Sequence, residues 1–328
     1  MTLSKLAQLA NVSVSVVSKA FSGRSDISDA MREHVFSVAR QHGCFQQFYH
    51  ARYDKPVIAV IIPEVISKYY VGYVEILKKE IEANGYTMLL SINNFDEQLT
   101  SELIRYYTAH GKVDGLILVD SYATVSKDVS TAVVAISSSK TLDFSVSVFH
   151  SMQNALREAV ECLYSLGHRR IAYVGEALTE SKGDLLCDEL RRVGISNSRE
   201  LLYSSRLRFE EAGKDGVAHL FSDENNRPTA IFGAYGYITE GIITALLSRG
   251  YSIPEDVSVI SMDNVPFPIH SSLDVAHIAY DMERASAEAI SLLKSQMENP
   301  AKRLITAVEL HASFSHGNST GAVDQIFD

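Results

Sequence analysis

Cysteine is nearly absent from this chain. Cys44, Cys162 and Cys187 are the only three in 328 residues, and they are widely separated. They form neither a CxxC pair nor metal-ligand spacing, which excludes a disulfide scaffold and a zinc-stapled fold and fits a reducing compartment. Although 46% of the residues are apolar, no apolar run approaches the roughly 18 residues a membrane helix needs. The first residues show no basic-then-apolar signal region, so cytoplasmic residence is expected and membrane association is not. No phosphate loop, no GxGxxG after the first strand and no HExxH occurs. Neither a cofactor nor a metal site is therefore expected. One catalytic pattern is present: Gly317-Asn318-Ser319-Thr320-Gly321 spells G-x-S-x-G. A nucleophile elbow needs a strand before the serine, a helix after it and a histidine later in the chain. None of the three is legible here, so the segment is expected to be a mobile tail without a catalytic residue. His168-Arg169-Arg170 sits at a helix-to-strand turn, where basic side chains satisfy helix-end carbonyls.

Charge of one sign is scarce in a more informative way. Net charge is −10, yet residues 1–55 hold seven Lys/Arg against four Asp/Glu, so the other 273 residues carry −13. A small basic head on an acidic body is the footprint of nucleic-acid binding confined to the head.

That head opens with TLSKLAQLANVSVSVVSKAFS, residues 2–22. Leu3, Leu6, Ala7 and Leu9 recur at helical spacing behind an N-cap at Thr2, and Asn11 suits a left-handed turn. Ser13 caps a second helix in which Val17, Ala20 and Phe21 can share a buried face. Val14, Ser15, Ser18, Lys19 and Ser22 then point outward. Small, hydroxyl-bearing and basic side chains on a short exposed helix suit a DNA major groove; a helical hairpin capping a larger domain fits the same pattern. A third helix follows Ser28 to about residue 41, with Met31, Val35, Val38 and Ala39 inward, and Gly43 ends it. Residues 44–55 are aromatic and polar with no evident core face: a segment ordered on DNA, or a linker.

From residue 57 strands and helices alternate. Strands are expected at 57–63, 86–92, 114–120, 131–137, 170–175, 201–203, 229–233 and 257–263. Helices are expected at 70–84, 96–110, 151–166, 182–193, 210–221 and 237–249, with a last helix near 282–297 and a last strand near 304–310. Such alternation implies right-handed βαβ units and parallel sheets. The run restarts near residue 170, so two doubly wound subdomains are expected, with a ligand held beyond the strand ends between them. Domains are expected at 1–43, 44–56 and 57–328. Subdomain one would take about 57–166 plus 281–299, and subdomain two 167–280 plus 300–316.

TLSKLAQLANVSVSVVSKAFSG, SLGHRRIAYVG and RPTAIFGAYGYITEGIITALLSRGYSIPEDVSVISMDN occur in the order and spacing of the lac/gal repressor family, and the chain resembles that family over nearly its whole length. The resemblance implies a helix-turn-helix head on a body of the periplasmic-binding-protein type. It also implies a dimer on a pseudo-palindromic double-stranded DNA operator and a small-molecule effector in the cleft, a sugar or sugar phosphate. Ser13 through Lys19 would form the recognition helix, with Val14, Ser15 and Lys19 at base-reading positions. Thr2, Ser13, Ser18 and Ser22 would meet phosphates, and Tyr53 stands where the family inserts a leucine into the minor groove. Effector contacts would come from Tyr69, Tyr70, Lys182, Tyr235, Asp263 and Tyr280. Departures are specific: Tyr235-Gly236 replaces an Asn-Asp pair, and Lys182 replaces an arginine whose planar fork a lysine cannot reproduce. The function expected is a transcriptional regulator, a repressor and not an enzyme. The alternatives are a solute receptor on the same body, which lacks an export signal and has no use for the head, and a sugar- or nucleotide-modifying enzyme using Asp120 and Asp263 near strand ends.

Overall fold

A computed structural model describes residues 1–22, 26–48, 56–111, 113–121, 131–138, 145–196, 199–264, 273–298 and 305–323. Met1–Val57 with Gly85–Thr87 form one compact unit, and Ile58–Asn84 with Met88–Asp328 form the other.

The head is built from α1 (Leu3–Leu9), α2 (Val14–Phe21), α3 (Asp29–Gln41) and the single turn α4 (Phe45–Phe48). Each of the first three begins where a hydroxyl can take an orphan amide. Thr2 Oγ1 accepts from the Lys5 N–H at 3.2 Å, Ser13 Oγ from Val16 at 3.2 Å and Ser28 Oγ from Met31 at 3.3 Å. Asn11 makes the turn between α1 and α2 at φ 52°. Leu6, Ala7, Val17, Ala20, Val35, Phe36, Ala39 and Cys44 form the core. Two expected core residues face outward: Leu9 and Met31 are each 38% exposed. In α3 the buried face is Val35, Phe36 and Ala39, and Met31 lies a full turn before it. The core also continues past residue 43. Phe21 packs its ring 5.1–5.9 Å from those of Phe36, Phe45 and Phe48, so 44–48 is head rather than linker.

The body is two six-stranded sheets. The first runs β11-β5-β4-β3-β1-β2, from β1 (Val57–Ile62), β2 (Thr87–Ile92), β3 (Gly115–Val119), β4 (Ala132–Ser137), β5 (Val146–Ser151) and β11 (Thr306–His311). The second runs β12-β10-β9-β8-β6-β7, from β6 (Ile171–Glu176), β7 (Leu202–Ser205), β8 (Ala230–Gly233), β9 (Ser258–Ser261), β10 (Ala276–Ala279) and β12 (Ser313–Ser315). β12 is antiparallel to β10. The central strands β1, β3, β6, β8 and β9 are buried at every residue, as strands covered by helices on both faces must be. Those helices are α5 (Lys68–Ala83), α6 (Glu97–Arg105), α7 (Gln153–Ser165), α8 (Glu180–Arg192), α9 (Phe209–Leu220), α10 (Gly236–Ser248) and α11 (Met282–Glu298).

The lobes exchange chain in a way the sequence division misses. After β5 the chain leaves the first sheet, and α7 buries Leu156, Val160 and Leu163 in the core of the second lobe. It returns after β10 with α11, which packs on α5 and β4. It crosses again between β11, paired with β5, and β12, paired with β10. Residues 153–165 thus belong to lobe two and 306–311 to lobe one, the reverse of the expected assignment. The supposed mobile tail is pinned as well. Ser319 is fully buried; its hydroxyl donates to Val259 O at 2.6 Å and accepts the Ala276 N–H at 2.8 Å. A buried side chain held from both sides cannot serve as an exposed nucleophile.

Candidate functional site

Two places gather the expected functional residues. In the head, α2 turns Val17 and Ala20 into the core, and the 3.6-residue period leaves Val14, Ser15 and Ser18 exposed on the opposite side. Thr2 and Ser13 are exposed N-caps; with their oxygens accepting helix amides, their hydroxyl protons stay available to donate. Ser22 is half-buried, its hydroxyl donating to Lys19 O at 3.3 Å. Lys19 lies at the edge of this face, where its Nζ pairs with Asp26 at 2.8 Å. Tyr53 lies outside the described residues.

The second place is a cleft in the body with a cavity of about 180 Å³, lined by residues from both lobes. All six residues named from the sequence for the effector, Tyr69, Tyr70, Lys182, Tyr235, Asp263 and Tyr280, line it. Their settings follow from where the elements end. Asp263 stands two residues beyond β9, and Asp120 one beyond β3 in a left-handed turn at φ 40°. Asp120 Oδ1 accepts the Ser138 N–H at 2.7 Å, and its carboxyl also takes a hydrogen bond from Tyr69. Burial raises the Asp120 carboxyl above its usual range and pushes Asp263 up to about 6. Lys182, in the first turn of α8, donates to Ala234 O at 2.9 Å and Met262 O at 3.3 Å, carbonyls just past β8 and β9. Its ammonium is depressed by burial while the charges of Asp263 and Asp120 support it. Lys182 is therefore a half-buried counter-charge tied to the strand ends, not an outstretched clamp. Asn264 fixes Tyr280 from both sides, its Nδ2 donating to Tyr280 O at 2.6 Å and its Oδ1 accepting the Tyr280 N–H. Tyr235 receives the Phe209 N–H on its hydroxyl at 3.2 Å.

The sequence reading missed Arg208, Glu64, Glu176, Phe95 and Phe209, which also line the cleft. Arg208 reaches Glu64 of lobe one at 3.2 Å and Glu176 of lobe two at 3.3 Å. Its guanidinium lies 4.6 Å from the Phe209 ring centre and 5.7 Å from that of Phe95. Among the described residues no cluster of His, Cys, Asp and Glu is arranged to hold a metal, and no helix is long and apolar enough to cross a membrane.

Residues 160–320 match the periplasmic binding protein-like domain. HTH-type transcriptional regulator DegA of Bacillus subtilis is 24% identical over 305 residues, 88% of each chain. The repressor CytR of Escherichia coli is 24% identical over 309 residues, 90% of each chain. Among solved structures, the lac repressor dimer bound to operator and anti-inducer superposes with a TM-score of 0.70 at 18% identity, covering 98% of this chain and 99% of that one. A CelR–cellobiose complex gives 0.67 at 19% identity, covering 97% and 99%. Over most of its length the chain is thus similar to transcriptional regulators and repressors, residues 160–320 carry the periplasmic binding protein-like domain, and the fold is that of the lac repressor.

Proposed function

We propose that this chain is a sequence-specific DNA-binding transcriptional regulator of the cytoplasm, a repressor, whose operator affinity is set by a small polyhydroxylated molecule in the body's cleft. The observation that carries this is a helix-turn-helix whose second helix leaves Val14, Ser15 and Ser18 exposed, on the same chain as a cleft lined from two lobes. Valine can meet a thymine methyl, serine is permissive, and Lys19 can reach guanine or phosphate. Thr2, Ser13, Ser18 and Ser22 supply backbone contacts. Structural neighbours hold cellobiose, glucose and ribose, which favours a polyol for this cleft. Tyr69, Tyr70, Lys182, Tyr235, Asp263 and Tyr280 are its proposed contacts.

The regulator acts as a homodimer on a pseudo-palindromic site, since one short head buries too little to bind tightly alone. Supporting this, β2 leaves Leu89, Leu90 and Ile92 each 38–39% exposed at a sheet edge, an apolar edge that a second copy would cover.

The test is binding to a palindromic duplex from beside its own gene across a salt series. Selective affinity that falls as salt rises is expected, because phosphate contacts release counterions. Lys19→Ala is expected to weaken specific binding by about 1–3 kcal/mol if the lysine reads a base. Binding that ignores both sequence and salt overturns the proposal.

A further inference from the structure

Charge in the cleft is distributed in two units of the same kind. In one, a single ammonium, Lys182, is held by two carbonyls at the strand ends and stands near two carboxyl groups, Asp120 and Asp263, whose charges support it. In the other, a single guanidinium, Arg208, bridges two carboxylates, Glu64 and Glu176. All four carboxyl groups are at most 7% exposed, so in each unit one cation faces two buried carboxyls. Both cations are also committed: Lys182 to the Ala234 and Met262 carbonyls, Arg208 to its two glutamates. An anionic ligand would find no free cation among the described lining residues. One acceptor does wait for a partner. Asp263 Oδ1 is buried with no hydrogen bond among the described residues, and Asp263 lines the cavity beside Tyr69, Tyr235 and Tyr280.

We infer that the effector is a cationic polyol, an amine-bearing sugar or a close analogue, whose ammonium pairs with Asp263 while its ring rests on the tyrosines. The inference rests on the proposed function and specifies its ligand. A protonated amine gives the buried Asp263 Oδ1 a charged donor, which no described residue supplies; a phosphate would set a further anion beside the Asp120 and Asp263 carboxyls.

The experiment is calorimetry and thermal shift on the full chain at pH 7 with matched triples: glucose, glucosamine and glucose 6-phosphate, then the galactose and mannose sets. At least one amine is expected to raise the melting point and to bind about tenfold or more tighter than its neutral partner, with no response to the phosphates. In Asp263→Asn, that preference for amine over hydroxyl is expected to disappear while the body's cooperative ligand-free melting transition persists, which confirms folding. A neutral sugar or phosphate binding as well as its amine counterpart, or a panel in which no amine binds, overturns the inference. Selective operator binding in those same preparations leaves the regulator reading standing; its loss would overturn that reading separately.

Discussion

Ser319 shows how one side chain is read differently by pattern and by packing. The G-x-S-x-G string describes an exposed hydroxyl, whereas the folded chain uses this hydroxyl to join Val259 O and the Ala276 amide inside lobe two. Removing it leaves a buried donor and a buried acceptor unpaired, so Ser319→Ala is expected to lower unfolding free energy by about 1–3 kcal/mol. Urea denaturation measures this, and a change below a few tenths of a kcal/mol would remove Ser319 from the lobe's framework. His150 is a second such residue. Its Nε2 lies 3.1 Å from the Tyr73 hydroxyl, its ring 5.2 Å from that of Tyr280, and burial pushes the imidazole down to about 4. The folded chain declines a proton that the unfolded chain accepts. His150 therefore contributes stability above the ordinary value of 6.5, and that contribution is lost as pH falls toward 4. Asp263 runs the other way: the folded chain keeps a proton that the unfolded chain releases. Its contribution is present below 3.8 and lost as pH rises through about 6. The drop in melting point from pH 7 to pH 5 is expected to be smaller in His150→Gln than in the parent, and an equal drop would clear His150 of the effect.

At the level of elements, α9 and α10 pack backbone against backbone in lobe two. A methyl group at Gly213 would run into the Ile238 carbonyl, and one at Gly241 into the Glu210 carbonyl. Both obstacles are backbone, which cannot swing aside as a flexible side chain does. Gly241→Ala is accordingly expected to destabilise lobe two by about 1–3 kcal/mol, measured by denaturant midpoint, with operator binding by the head retained at temperatures where the variant is folded. The repeating strands and helices were legible in the sequence because their periods are long and apolar. The strands β5, β10 and β12 were not. VSVFHS carries polar residues into a paired strand, AHIA is interrupted by a histidine, and SFS is three residues with one apolar side chain, so none presents the apolar run that marks β8 and β9. The lobe boundaries failed for a related reason. Whether α7 follows β5 onto one sheet or the other depends on contacts made far along the chain, not on its amphipathic pattern. The cleft divided the same way. Tyr69, Tyr235 and Asp263 could be placed from motifs, but Arg208 acquires meaning only from Glu64, 144 residues earlier.

For the whole molecule, that Arg208 bridge joins the lobes on either side of the cleft. Arg208→Met would leave Glu64 and Glu176 buried and unpaired. The ligand-free melting point is expected to fall by about 2–6 °C, given ~2–4 °C per kcal/mol for a chain of this size and a pair half open to water. Adding Glu64→Gln should restore part of the loss. A double mutant whose loss merely adds that of the two single changes would show the bridge to be energetically idle. The interleaving of the lobes carries a consequence for biosynthesis. The head has every residue of its core once Phe48 has been made. Lobe one, by contrast, waits for β11 at 306–311, and lobe two waits for β12 and for Ser319. A ribosome emitting the chain in order therefore releases a head able to fold long before either half of the sensor can close. Nascent or prematurely terminated chains carry the DNA-reading part without the part that governs it.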